Sequence, residues 1–96
     1  MSFTHIVMFK WKDESFDARP VAEALQAAVA GVDGVQSYVC GPDVNFSPGS
    51  VDFAVVGTFD DRDSFVAYRD LPEHQRIIKE MINPNLESRT VAQLES

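Results

Sequence analysis

Two histidines and one tyrosine are the side chains of this sequence best suited to acid–base chemistry. The chain contains only two histidines, His5 and His74, and Tyr68 precedes His74 by six positions. A half-buried imidazole with a pKa of about 6.5 can accept a proton from a carbon next to a carbonyl, and a phenol can donate to the developing enolate oxygen. Together they suit an intrinsically easy aldol closure or isomerisation of a small carbonyl compound.

The same three side chains also fit a purely structural role. The histidines can hydrogen-bond each other, Tyr68 or the backbone, and in this way fasten a helix to a sheet. A third interpretation is simple binding of a small apolar carbonyl or aromatic molecule in a pocket lined by His5, Tyr68 and His74. The residues leave all three interpretations open, so whether the protein is an enzyme is not decided by them.

His5 belongs to a segment, Phe3 to Trp11, that is predicted to be a strand because it is rich in Ile, Val, Phe and Trp. Alternate residues of a strand point to opposite faces of its sheet. Both faces are largely apolar, with His5, Val7, Phe9 and Trp11 on one and Thr4, Ile6, Met8 and Lys10 on the other. The strand should therefore be covered on both sides.

Tyr68 and His74 belong to a second helical region, which is predicted to start at Asp60 or Asp61 and to continue to about Ile82. Leu71-Pro72 interrupts it, because proline cannot continue a helix. In a straight helix, positions six apart point about 120° away from each other. The break at Pro72 frees Tyr68 and His74 from that geometry and allows both to face the same space.

The remaining elements complete a regular order. Further predicted elements are a helix from about Asp17 or Arg19 to Val32, strands over Val35 to Val44 and Val51 to Phe59, and a weakly indicated strand over Arg89 to Leu94. The resulting β-α-β-β-α-β order predicts a single α+β domain spanning residues 1–96, with a four-stranded antiparallel sheet and both helices on one face. Since the strands are apolar on both faces, the free face predicts a homodimer formed sheet to sheet.

Composition narrows the classes of partner. The net charge of −7 argues against nucleic acid and against an anionic membrane surface, both of which attract Lys and Arg. No segment resembles a transmembrane helix or a signal peptide, and the single cysteine, Cys40, fits a cytoplasmic protein. No spacing such as HxxxH or CxxC is present, so neither a metal nor another cofactor is predicted.

Two segments of the chain resemble the stress-responsive dimeric α/β-barrel family. They are Phe3-Thr4-His5-Ile6-Val7-Met8-Phe9-Lys10-Trp11 and Phe65-Val66-Ala67-Tyr68-Arg69-Asp70-Leu71-Pro72-Glu73-His74, which contains the spacing Tyr-x3-Pro-x-His. Gly34-Val35 followed by Gly41 also fits, and the resemblance covers essentially the whole chain. It implies a ferredoxin-like protomer and a homodimeric barrel.

The resemblance also implies roles for the three side chains. In a plant polyketide cyclase of the family, a tyrosine and a histidine act together and a histidine of the first strand lines the pocket. These roles would fall on Tyr68, His74 and His5, giving a cofactor-free cyclase, lyase or isomerase. The cyclase has a further histidine directly before the proline of the motif, where this chain has Leu71. Because of that difference, the substrate of the cyclase is not carried over to this chain.

Trp11 admits two interpretations. Dimeric-barrel monooxygenases oxidise aromatic substrates with little or no cofactor, and a tryptophan at the end of a strand invites comparison with them. A tryptophan ending a hydrophobic strand is more often part of a core or an interface. We therefore expect Trp11 to be buried and Cys40 to be a small buried hydrophobic residue.

Overall fold

The computed structural model describes residues 2–96; residue 1, which the predicted domain includes, lies outside the described residues. The regular elements follow the predicted β-α-β-β-α-β order, with the second helical region broken into short pieces. They are β1 (Phe3–Trp11), α1 (Arg19–Val29), β2 (Val35–Pro42), β3 (Phe53–Phe59), α2 (Arg62–Arg69), α3 (Pro72–Ile77), a π-helical turn (Ile78–Ile82), a 3-10 turn (Asn83–Asn85) and β4 (Leu86–Glu95).

The four strands form one sheet in the order β2-β3-β1-β4, and every neighbouring pair is antiparallel. The helical segments join strands that are not neighbours in the sheet, β1 to β2 and β3 to β4, whereas the neighbours β2 and β3 are joined by a loop. This arrangement confirms the predicted α+β class and the ferredoxin-like split βαβ topology.

Several predicted boundaries differ from the structure, and β3 begins at Phe53 rather than Val51. Helix α1 ends at Val29 rather than Val32, because Gly31 takes a positive φ of 76° that ends the helix. Strand β2 stops at Pro42, where the ring removes a ladder donor. Strand β4 runs from Leu86 to Glu95, beyond both ends of the weakly indicated segment, because it pairs along the whole of β1. Tertiary pairing here outweighs local propensity.

The core lies between the helices and one face of the sheet. From β1 it takes Val7, Phe9 and Trp11, and from α1 Val21 and Leu25. Trp11 is only 4% exposed, and its ring packs against those of Phe9, Phe16 and Phe53. The core interpretation of Trp11 is therefore confirmed. Cys40 is only half-buried, because β2 is an edge strand of the sheet, so its predicted burial is met in part.

The other face of the sheet carries no helix, and we call it the open sheet face. Ile6 of β1 pairs with Val56 of β3, which pairs with Val39 of β2, so these three residues form an apolar row across it. Val39 is 68% exposed and Val56 38% exposed. Leu94 of β4 is also exposed.

Within residues 2–96, no helix is long and apolar enough to cross a bilayer.

Candidate functional site

A cavity of about 250 Å³ lies between the helices and the sheet. Its floor consists of side chains on the helix-facing side of the four strands, and its walls come from the helical segments. The lining comprises His5, Val7, Phe9, Leu25, Tyr38, Val55, Phe65, Tyr68, Arg69, His74, Ile78, Ile82, Arg89, Val91 and Gln93. All three sequence-predicted site residues are among them, whereas Trp11 is not.

Strand register arranges the floor in rows. One row across the sheet, which we call the polar row, consists of Gln93, His5, Gly57 and Tyr38. The next row, which we call the apolar row, runs Val91, Val7, Val55, Cys40. Gln93, His5 and Tyr38 of the floor thus lie together at one end of the cavity.

Gly57 lies in the polar row between His5 and Tyr38, and it is buried. A Cβ at this position would lie 2.9 Å from a ring carbon of Phe59 and 3.2 Å from a ring carbon of Tyr38. Both distances are shorter than ordinary carbon–carbon contacts. The absence of a side chain therefore allows the rings to approach the floor of the cavity.

The break at Pro72 brings Tyr68 and His74 together. Tyr68 lies near the end of α2 and His74 in the first turn of α3, and their ring centroids are 4.3 Å apart. Both residues are buried. The proline at the start of α3 therefore allows two aromatic polar groups to pack side by side on one wall of the cavity. Their chemical roles stay predictions.

Tyr38 is a polar member of the site that sequence reasoning missed. Its hydroxyl oxygen lies 2.7 Å from that of Tyr68, so one phenol donates to the other. Burial raises the pKa of Tyr68 to about 12 and raises that of Tyr38 further above its ordinary value. Both phenols are therefore neutral near pH 7, and the phenol that accepts in this pair keeps its own proton for donation. The available signal was the alternation of β2, which places Tyr38 and Cys40 on the same face.

His74 has a defined tautomer. Its Nδ1 lies 3.0 Å from the backbone carbonyl of Arg69, which can only accept, so Nδ1 carries the proton. The other ring nitrogen, Nε2, makes no hydrogen bond within residues 2–96 and is not a fully buried atom. Burial lowers the pKa of His74 below 6.5, so the ring is neutral near pH 7. Nε2 is therefore a proton acceptor on a residue that lines the cavity.

The neutral ring of His5 is the opposite tautomer to that of His74. The side-chain amide of Gln93 donates to its Nδ1 over 3.1 Å, so the proton of the neutral ring lies on Nε2. The ring packs against Phe65, with centroids 4.7 Å apart. Burial lowers the pKa of His5, and the positive charges of protonated His74 and of Arg89 lower it further. The two histidines therefore offer different atoms, a donor on His5 and an acceptor on His74.

The structural interpretation of the histidines is thus met only in part. His74 bonds to the backbone, as that interpretation allows, but His5 bonds to Gln93 rather than to His74 or Tyr68. The hydrogen bonds use one nitrogen of each ring and leave the other free for a ligand. Among residues 2–96, no group of three His, Cys, Asp or Glu side chains is placed to hold a metal ion.

Protonation of the two histidines should make stability depend on pH. Their pKa values are lower in the folded protein than the 6.5 of the unfolded chain. The unfolded state therefore binds more protons as the pH falls through 6.5, and the free energy of unfolding decreases. We expect urea denaturation at one protein concentration to give lower stability at pH 5.5 than at pH 7.5. The double variant His5→Asn/His74→Asn should be less sensitive to pH over this range, and an unchanged difference would contradict the prediction.

Comparisons with known proteins agree on the fold. A crystal structure of a dimeric ferredoxin-like protein of unknown function from Thermobifida fusca is 33% identical, with a TM-score of 0.90 over 100% of this chain and 92% of that chain. A Dabb family protein with a ferredoxin-like fold from Mesorhizobium loti is 18% identical, with a TM-score of 0.80 over 99% of this chain and 96% of the other. A dimeric protein of unknown function from Bacteroides fragilis, also ferredoxin-like, is 24% identical, with a TM-score of 0.75 over 99% and 96%.

A comparison with curated proteins gives no match. The family model described as the stress responsive A/B barrel domain, Dabb, matches residues 3–96. This range contains every strand of the sheet and every residue that lines the cavity. The chain therefore belongs to the stress-responsive A/B barrel domain family.

Proposed function

We propose that the protein is a homodimer in which each protomer binds a small apolar carbonyl or aromatic molecule in its cavity. The observation that carries this proposal is the cavity itself. A dry cavity of about 150 Å³ is enough to hold benzene. The 250 Å³ here suits one aromatic ring with a small substituent, surrounded by apolar side chains and a few polar groups.

The open sheet face supports the homodimer. Exposed apolar patches of this kind mark surfaces that bind another protein. The relatives from Thermobifida fusca and Bacteroides fragilis are described as dimeric. The dimer would therefore cover the open sheet faces and leave the cavities on the helix sides. The free thiol of Cys40 fits a cytoplasmic setting for this assembly.

Binding of acetophenone tests the cavity. We expect a dissociation constant of about 1 mM for a ligand of this size, measured from chemical-shift changes in a protein NMR titration. The variant Val91→Trp should weaken binding at least about tenfold, because Val91 is a half-exposed residue of the cavity lining and the indole would fill the space.

The matched control is Val44→Trp, which adds the same ring at an exposed position outside the cavity lining. We expect it to bind acetophenone as the wild type does. Acetophenone that fails to bind the wild-type protein, or that binds both variants equally, would show that the cavity is not a ligand site.

The free Nε2 of His74 favours a second candidate function, a cofactor-free lyase, cyclase or isomerase. His74 Nε2 would take a proton from the carbon next to a carbonyl, and the electron pair of the broken C–H bond would move into the carbonyl to form an enolate. Tyr68, itself hydrogen-bonded to Tyr38, would donate a hydrogen bond to the enolate oxygen. Return of the proton from His74 to a carbon of the enolate would complete an isomerisation and restore the neutral ring.

A further inference from the structure

The cavity carries positive charge although the chain as a whole is acidic. The sequence has 15 acidic and 8 basic residues. The cavity lining nevertheless contains no Asp or Glu, and it includes Arg69 and Arg89. A positively charged cavity in an acidic protein favours an anionic ligand, because opposite charge attracts and orients a ligand in a cleft.

The two arginines are not equivalent. The guanidinium of Arg69 is engaged by the carboxylate of Asp70, with Nε and Oδ1 3.0 Å apart. Arg89 makes no ion pair within residues 2–96, and its charge is close enough to lower the pKa of His5. Arg89 is therefore the cation with free hydrogen-bond donors at the cavity. Its planar fork matches a carboxylate, and its single charge matches that of one carboxylate.

The sheet register fixes how Arg89 lies relative to the other polar groups. Arg89 pairs with Phe9, whereas Gln93 pairs with His5 in the polar row. The Cα positions of 5 and 9 are about 13 Å apart along an extended strand. The apolar row, with Val7 and Val91, lies between these two levels. The cavity therefore has polar groups at both ends and an apolar middle. Because the side chains at the ends are long, the distance between their polar groups can be shorter than the distance between the Cα atoms.

We infer that the ligand is a small organic acid, with its carboxylate on Arg89, an apolar ring or chain over the apolar row, and a carbonyl oxygen near Tyr68. This inference rests on the proposed ligand-binding function and specifies its ligand class. The carboxylate lies at the exposed edge strand β4, so it keeps partial contact with water. The uncharged part of the molecule enters the apolar interior, which avoids the cost of burying a charge.

The test compares 4-acetylbenzoate with 4-acetylbenzamide, which has nearly the same shape and no charge. We expect the wild-type protein to bind the acid at least about tenfold more tightly, because a hydrogen bond to a charged group contributes about that much affinity. Arg89→Gln should remove this preference and leave binding of the amide unchanged. Arg89→Lys should keep part of it. NMR titrations at one salt concentration give all four dissociation constants for wild type and Arg89→Gln.

The control variant is Arg19→Gln, which removes an exposed arginine outside the cavity lining and should keep the preference for the acid. Thermal melts check that each variant is folded. Equal binding of acid and amide to the wild type, or a preference that survives Arg89→Gln, would overturn the organic-acid inference while leaving ligand binding intact. Binding of neither compound to the wild type would overturn both this inference and the proposed function.

Discussion

The variant Val56→Asp is expected to be a monomer. Val56 lies in the middle of the open sheet face, between Ile6 of β1 and Val39 of β2. In the proposed dimer a carboxylate at this position would be buried against the apolar face of the partner. Burial of an unpaired charge costs several kcal/mol, which is enough to dissociate a dimer at micromolar concentration.

Light scattering coupled to size-exclusion chromatography measures this directly. The wild type should give about twice the 10.7 kDa mass of the chain, and Val56→Asp should give that mass once. The matched control is Val66→Asp, because Val66 is 37% exposed, nearly the same as Val56 at 38%, but lies on helix α2. It should stay dimeric. A monomeric wild type, or a dimeric Val56→Asp, would refute the proposed interface.

The variant His74→Ala is expected to lose 10²–10⁴-fold in the rate of proton abstraction, if the second candidate function holds. The sensitive measurement is exchange of the methyl hydrogens of acetophenone with D2O, followed by NMR. This exchange requires the proton transfer assigned to His74 Nε2 and no later step of a reaction. It therefore reports the chemistry without knowledge of the natural substrate.

Two further variants separate chemistry from folding. Tyr68→Phe keeps the ring that packs on His74 and removes the hydroxyl, so it should bind acetophenone but exchange its hydrogens more slowly. Lys79→Ala changes an exposed residue of the π-helical turn and should exchange as the wild type does. Exchange by the wild type no faster than by free imidazole would refute the base role, as would undiminished exchange by folded His74→Ala.

The sequence was most informative where side-chain periodicity was strong. The alternation of β1 correctly predicted the face that carries His5, and Pro72 correctly predicted the break between Tyr68 and His74. Strand β4 was harder, because its local propensity is weak and its length depends on pairing with β1. The sequence indicates that both faces of β1 and of β3 are apolar. Only the three-dimensional structure shows which face of each strand the helices cover.

The polar details of the site depend on contacts between residues distant in the chain. Tyr38 and Tyr68 are 30 positions apart, and Gln93 and His5 are 88 apart. Such pairs leave no spacing pattern in the sequence, because strand order and register decide which side chains meet. The same holds for Arg89, whose relation to the cavity follows from its place opposite Phe9. The residue types predicted acid–base chemistry, whereas the tautomers and the charge pattern required the fold.

Gly57 has a consequence for how the site would respond to substitution. It adjoins both His5 and Tyr38 in the floor, yet it contributes no functional group of its own. Even a methyl group at residue 57 would press on the ring of Tyr38. A position without a side chain therefore helps to determine where a hydrogen-bonding phenol of the site lies.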